Sequence, residues 1–164
     1  RVEDTDRARS TLEFTEQLQQ DMHWLGLDWQ EGPGQDLGNG PYFQSERLSI
    51  YQAYYQTLAD KGFSYPCFCS EETLAVTRKV QLSAGQPPRY PGTCKNLTPA
   101  EVDAKKAAGE KPAIRFCMPK DTAITFNDIV KGPQSFKSDD IGDFIICRQD
   151  GTPPFMYCNA IDDA

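Results

Sequence analysis

Four side chains near the middle of the chain are of types that bind transition metals. Cys67 and Cys69 are separated by one residue, and Cys94 follows after a span long enough to leave and return. Zn²⁺ takes four tetrahedral nitrogen, sulfur or oxygen ligands, and this spacing can supply three thiolates. Tyr90 is the nearby candidate for a fourth ligand, because a bound dication lowers the pKa of a phenol. The same pattern is compatible with reduced cysteines that only fill a core.

Two other groups of residues could carry chemistry, and each has a plainer interpretation. Cys117, Cys147 and Cys158 lie in apolar segments, and we predict that they are core residues, since free cysteine is among the most buried residue types. The pair Asp162-Asp163 could form a metal or general-base site, but such a pair is also common as a helix or loop cap. The sequence leaves both interpretations of this pair open.

Composition limits the classes of protein to consider. The chain has 164 residues, a net charge of −7 and 38% hydrophobic residues, which fits one sizeable domain or a domain carrying an insertion. The acidic balance argues against a broadly basic surface for nucleic acid, although a local basic groove remains compatible with it. The sequence has neither a membrane-length apolar run nor a secretory pattern, which favours a reducing cytosol. The charged start without methionine predicts a truncated N-terminus.

Capping residues and apolar periodicity predict four helices before residue 110. The first two are predicted to start at Ser10 and Ser45 and to end near Gly26 and Gly62. The next two are predicted to run from Ser70 to about Val80 and from Thr98 to Gly109. A loop rich in glycine and proline, residues 31–41, separates the first two helices.

Strand patterns surround the cysteine cluster and dominate the last third of the chain. Residues 63–65 are predicted to form a short strand that leads to Cys67. From Ala113 onward the apolar residues alternate, which is typical of strands. Residues 144–147 and 155–161 are predicted to return as strand to a larger sheet.

Several short motifs occur in an order that resembles the bacterial glutamyl-tRNA synthetases. They cover nearly the whole chain: RVEDTD at 1–6, LGLDW at 25–29, EGP at 31–33, GPYFQSER at 40–47, YPCFC at 65–69, PPRY at 87–90, DFII at 143–146, DG at 150–151 and NAIDD at 159–163. The resemblance implies an α/β fold, namely part of a Rossmann-type class I synthetase catalytic domain interrupted by an α+β insertion. Residues 1–61 and 143–164 would belong to the catalytic domain, and 62–142 to the insertion with its zinc site at 67–94.

The resemblance also implies a zinc site and an amino-acid pocket. Family members with these ligands bind zinc, which implies Cys67, Cys69, Tyr90 and Cys94 as a tetrahedral set. Many members lack the ligands, so the metal is expected to brace the insertion rather than take part in the reaction.

The pocket residues follow from matched motif positions. Glu3 would pair with the α-ammonium of glutamate, although its plainer role is a surface ion pair. Asn159 would hydrogen-bond the substrate. Phe155 replaces the usual family tyrosine, and we expect it to be a pocket wall. The missing hydroxyl would then come from Tyr157 or water, or the contact would be absent.

The activity implied by the resemblance is ATP-dependent attachment of glutamate to tRNA-Glu through glutamyl-adenylate, with Mg-ATP as a substrate. The acceptor end of tRNA would be the partner, with Arg7 and Arg9 as candidate contacts. No interaction with a membrane is expected. We expect a cytoplasmic monomer. The family's ATP motifs are expected outside this chain, so the segment alone should be inactive. Alternatives are a glutamyl-queuosine tRNA synthetase-like enzyme and a non-catalytic zinc-containing RNA-binding module.

Overall fold

A computed structural model describes residues 1–6 and 9–164, and this part of the chain mixes helices and strands. The helices are α1 (Leu12–Trp24), α2 (Leu48–Asp60), α3 (Glu71–Ser83), α4 (Pro99–Ala107), α5 (Ser138–Ile141) and α6 (Phe155–Asp162), with a short 3-10 helix at Gln44–Glu46. The strands are β1 (Ser64–Cys67), β2 (Ala113–Phe116), β3 (Ala123–Asp128), β4 (Gly132–Lys137) and β5 (Phe144–Cys147). Within the described ranges, no helix combines the length and the apolar character that a bilayer crossing needs.

The described chain divides into two compact units. The first contains Arg1–Gln56 and Thr152–Ala164, and the second contains Thr57–Gly151. These units are defined by contacts and do not assign residues to a catalytic domain or an insertion. The predicted boundaries at residues 61/62 and 142/143 therefore stay a prediction.

Helix α1 begins one residue later than the sequence pattern predicted. The Thr11 hydroxyl, not that of Ser10, accepts a hydrogen bond from the Phe14 N–H, so Thr11 is the N-cap. Both residues have a hydroxyl at the right distance from the apolar repeat, and only the backbone geometry selects between them.

Helix α2 builds the small core of the first unit with α6. Tyr51 and Tyr55, one turn apart and therefore on the same face, are buried. The Tyr55 ring stacks on Tyr157 of α6 with ring centroids 4.7 Å apart. The prediction that Ser45 caps this helix was wrong, because Ser45 lies in the 3-10 helix and donates its backbone N–H and its hydroxyl to Asp4.

The chain start is tied to residues 42–44 by a parallel bridge. Val2 pairs with Phe43, the Val2 N–H donates to the Tyr42 carbonyl over 2.8 Å, and the Gln44 N–H donates to the Val2 carbonyl over 3.0 Å. This bridge fixes the position of Glu3, which lies between Val2 and Asp4.

The second unit is organised around a three-stranded antiparallel sheet in the order β1-β2-β5. Cys67 pairs with Ala113, and Phe116 pairs with both Ser64 and Phe144. Residues 144–147 therefore join this small sheet and not the larger one that the apolar pattern predicted. Residues 155–161, also predicted as strand, form helix α6. A short apolar run does not distinguish a buried strand from a buried helix.

Strands β3 and β4 form a separate hairpin. Their register runs from the Ala123–Lys137 pair to the Asp128–Gly132 pair, and the Phe126 and Phe136 rings stack on one face. Helix α4 has the predicted capping box, in which Thr98 and Glu101 exchange hydrogen bonds with each other's backbone.

Candidate functional site

The second unit brings the four predicted metal-binding side chains together. Cys67 is the last residue of β1, and Cys69 lies just before α3, whose N-cap is Ser70. Tyr90 and Cys94 lie in the loop between α3 and α4. The three thiol sulfurs lie within 4.8 Å of one another, in an arrangement that could hold a metal ion.

Three distances within this cluster are close to the edges of a tetrahedral zinc site. The Tyr90 hydroxyl lies 3.3 Å from Cys67 Sγ and 3.4 Å from Cys69 Sγ, and Cys69 Sγ lies 3.7 Å from Cys94 Sγ. With Zn–S near 2.3 Å and Zn–O near 2.0 Å, a tetrahedral site has edges of about 3.8 Å between sulfurs and about 3.5 Å between sulfur and oxygen. The donor set therefore fits Zn²⁺ in both chemistry and size.

Backbone groups already point hydrogen-bond donors at these ligands. The Cys94 N–H donates to the Tyr90 oxygen over 2.9 Å, and the Phe68 N–H donates to Cys94 Sγ over 3.4 Å. Burial raises the pKa of Tyr90, and the three neighbouring thiols raise it further. Burial also acts to raise the pKa of Cys67, but its hydrogen bonds with Tyr90 and Arg115 outweigh this effect and the net shift is downward. The donors around Cys67 therefore favour its thiolate form, whereas burial and the neighbouring thiols favour the protonated phenol of Tyr90.

A buried arginine that the sequence did not single out lies against the cluster. Arg115 on β2 is buried, and its guanidinium carbon lies 3.7 Å from the centroid of the Tyr90 ring. Its NH1 donates to the Asp143 carbonyl over 3.4 Å. Arg115 therefore supplies positive charge where three thiolates and a phenolate would concentrate negative charge.

Two basic residues of the loop between α3 and α4 form ion pairs with carboxylates. Arg89 forms an ion pair with Asp140 at 2.8 Å, and Lys95 forms one with Asp143 at 3.1 Å. Asp143 also accepts a hydrogen bond from the Tyr65 hydroxyl over 2.7 Å. Burial acts to raise the pKa of Asp143, yet the donors around it hold that pKa below its ordinary value.

The first unit contains the predicted amino-acid pocket residues. Phe155 and Asn159 lie four positions apart on α6 and therefore share a face of the helix. Burial raises the pKa of the Cys158 thiol, and the nearby charge of Asp162 contributes to that rise. Tyr157 does not replace the missing tyrosine hydroxyl, because it is buried and donates to the Tyr51 carbonyl over 3.2 Å.

Asn159 is joined to a buried polar network that centres on Asp162. The Asp162 side chain, only 3% exposed, accepts from Arg47 Nε at 2.8 Å and from the Tyr51 hydroxyl at 3.0 Å. Gln44 Nε2 donates to Asp162 at 3.1 Å and to Asn159 Oδ1 at 3.0 Å. The sequence had left a metal or general-base site and a cap open for Asp162, and in the structure this residue forms an internal ion pair with Arg47. Gln44 and Arg47 lie in the motif at 40–47, but the sequence assigned neither of them a role.

The remaining predicted residues lie in varied surroundings. Arg9 is exposed and pairs with Asp6 at 2.6 Å, whereas Arg7 lies outside the described residues. The prediction of buried cysteines is confirmed for Cys147 and Cys158, and Cys117 is half-buried.

Comparison with curated proteins finds glutamate–tRNA ligases among the relatives of this chain. The chain is 58% identical over 164 residues to glutamate–tRNA ligase 2 of Coxiella burnetii (strain RSA 331) and 56% identical over 164 residues to glutamate–tRNA ligase 2 of Nitrosococcus oceani. All of this chain and 35% of each relative take part in these matches. The chain thus spans about a third of the length of the relatives it matches.

Solved structures agree with the sequence matches. A glutamate tRNA ligase from Elizabethkingia meningosepticum, crystallised in complex with its amino acid, superposes with a TM-score of 0.89 at 29% identity, over 99% of this chain and 34% of that one. Glutamate-tRNA synthetase from Elizabethkingia anophelis gives the same TM-score and coverage. The family model for the catalytic domain of class I tRNA synthetases (E and Q) matches residues 1–164. The chain belongs to this family.

Proposed function

We propose that the protein containing this chain attaches glutamate to tRNA-Glu through a glutamyl-adenylate made from glutamate and Mg-ATP. The observation that carries this proposal is the match over all 164 residues to glutamate–tRNA ligases, among them one at 58% identity. The chain is one part of that enzyme, and we propose that residues 1–61 and 143–164 belong to its catalytic domain and 62–142 to its insertion. We also propose a cytoplasmic, monomeric enzyme.

We propose that Glu3, Phe155 and Asn159 line the glutamate site. The bridge between Val2 and Phe43 supports this, because it holds Glu3 next to the segment that carries Gln44. The shared helix face of Phe155 and Asn159 supports it as well. Glu3 would pair with the substrate ammonium, Asn159 would hydrogen-bond a substrate oxygen, and Phe155 would form an apolar wall.

We propose that Cys67, Cys69, Tyr90 and Cys94 hold zinc as a structural brace. The near-tetrahedral spacing and the burial of Cys67 and Cys94 support this assignment. The metal would link the end of β1 to the loop before α4 and so stabilise the second unit. It has no part in the proposed chemistry.

For tRNA, we propose that the acceptor end contacts Arg9 and Arg7. The exposure of the Arg9 side chain supports this, since 85% of its surface is open to solvent. In an acidic protein, phosphate contacts must be concentrated locally.

A charging assay on the full-length protein tests the proposed function. Labelled glutamate, with glutamine and aspartate as controls, is offered with unmodified tRNA-Glu, unmodified tRNA-Gln and queuosine-containing tRNA in separate reactions. ATP-dependent, alkali-labile glutamate on the 3′ end of unmodified tRNA-Glu is the expected result. Label that requires queuosine would favour the alternative enzyme, and ATP-independent RNA binding without any label would favour the non-catalytic module.

A further inference from the structure

The buried network around Asp162 contains Gln44, which hydrogen-bonds to Asn159, a residue of the proposed substrate site. We propose that Gln44 is a positioning residue: its amide fixes the orientation of the Asn159 amide, so that Asn159 presents an N–H donor to an oxygen of the amino-acid substrate. This inference rests on the proposed function of Asn159 and extends it to a residue on a different element.

The orientation begins at Asp162. Asp162 forms an ion pair with Arg47, and a carboxylate can only accept hydrogen bonds. The Tyr51 hydroxyl donates to the same Oδ2 atom that Gln44 approaches, at 3.0 Å. Asp162 therefore offers its neighbours acceptor oxygens that are fixed in place.

The acceptor at Asp162 decides which way the Gln44 amide faces. Gln44 Nε2 lies 3.1 Å from Asp162 Oδ2, and the reversed amide would put a carbonyl oxygen against a carboxylate oxygen, with no proton between them. The second Nε2 hydrogen then points to Asn159 Oδ1 at 3.0 Å. Asp162 therefore sets the orientation of the Gln44 amide, and the Gln44 amide in turn sets the orientation of the Asn159 amide.

Within the described residues, the Asn159 side chain forms one hydrogen bond, which its Oδ1 accepts from Gln44. Since its Oδ1 accepts from Gln44, its Nδ2 is the end that remains available to donate. A carboxylate oxygen of an amino acid accepts from such a donor, whereas an ammonium group does not. The site is thus set to bind an oxygen before any substrate arrives, which reduces the ordering cost of binding.

The burial of Gln44 is difficult to explain by stability alone. The residue is 2% exposed, and within the described residues its Oε1 has no hydrogen-bond partner. An unsatisfied buried acceptor costs about 1–3 kcal/mol. A residue that carries this cost while orienting Asn159 is better explained by binding than by packing.

The test uses the full-length protein in glutamate-charging kinetics. Gln44→Met keeps the side-chain length but removes the amide, so the Michaelis constant for glutamate should rise about tenfold, with that for ATP unchanged. Gln52→Met, on the exposed face of α2, is the matched control and should leave both constants unchanged. If Gln44→Met does not fold, Gln44→Asn retains a polar amide that is one methylene too short to reach Asn159, and it should give the same selective rise.

A double-mutant cycle separates positioning from general destabilisation. In an Asn159→Ala background, adding Gln44→Met should raise the Michaelis constant for glutamate no further, because the group that Gln44 orients is gone. An equal rise in both backgrounds, or none in the wild-type background, would overturn the inference while wild-type charging still supports the proposed function. Failure of the wild-type protein to charge tRNA with glutamate would overturn the proposed function and, with it, this inference.

Discussion

The guanidinium carbon of Arg115 lies 3.7 Å from the centroid of the Tyr90 ring, which places a buried cation beside the cysteine cluster. Arg115→Met should therefore weaken zinc binding by about 10- to 100-fold, the usual cost of losing a group that supports a ligand. Competition with a chromophoric chelator measures this change. Lys111→Met, which removes an exposed lysine from the same unit, is the control. Equal zinc affinity in the two variants would contradict a charge-balancing role for Arg115.

Replacing Cys94 should remove the metal and loosen the second unit. Cys94→Ser exchanges one thiolate for a poor ligand, so metal analysis of protein purified without chelator should find zinc in the wild type and little in the variant. Limited proteolysis should then cut within residues 67–97, because the brace between β1 and the following loop is lost. Cys147→Ala, a buried cysteine of the same unit outside the cluster, should keep its zinc. Absence of zinc from the wild-type protein would refute the assignment.

Loss of the Glu3 charge should affect glutamate more than ATP. Glu3→Gln leaves the substrate ammonium without a countercharge, so the Michaelis constant for glutamate should rise and adenylate formation should slow, by about tenfold or more. ATP–pyrophosphate exchange with tRNA present measures both effects. Glu16→Gln, on an exposed position of α1, is the matched control. Equal kinetics for the two variants would remove Glu3 from the pocket.

Asp143 should make the stability of the fold depend on acid pH. Its pKa is held below the ordinary value by Tyr65, the Met118 N–H and Lys95, which outweigh the opposing effect of burial. A carboxyl with a lowered folded-state pKa stabilises the fold above its unfolded pKa and loses that effect as pH falls through the folded value. The free energy of unfolding should therefore drop more steeply below about pH 4 in the wild type than in Asp143→Asn. Urea titrations from pH 3 to 7 measure the difference, and parallel pH curves would argue against it.

Residue types and spacing predicted the parts of the molecule that depend on local sequence. The Thr98 capping box was predicted because both partners lie within one helical turn. The cysteine cluster could be predicted as a set, since three of its members have the spacing of a metal site. Their mutual distances required the fold, because Cys94 approaches Cys69 only through the loop after α3.

Residues that act through tertiary contacts were missed because their partners are distant in the sequence. In the sequence, Arg115 looks like an ordinary half-exposed cation at an alternating position of a strand. Its burial follows only from the pairing of β2 with its neighbours. Gln44 lies in the motif at 40–47, but its role was not predicted, because its partners Asn159 and Asp162 are more than a hundred residues away. Residues 155–161 were predicted as strand because an apolar run of this length is ambiguous until its partner, α2, is known.

The order β1-β2-β5 also determines how the second unit can fold. Cys67 must find Ala113 before β1 can pair, whereas Asp128 and Gly132 are joined by a tight turn. Closing a longer loop costs more entropy, by about 0.6 kcal/mol for each doubling of its length, so nonlocal strand pairing is expected to lag behind local hairpins. In pulsed hydrogen exchange during refolding, the amides of β3 and β4 should become protected before those of β1. Simultaneous protection would mean that the hairpin forms only together with the sheet, which would contradict this order.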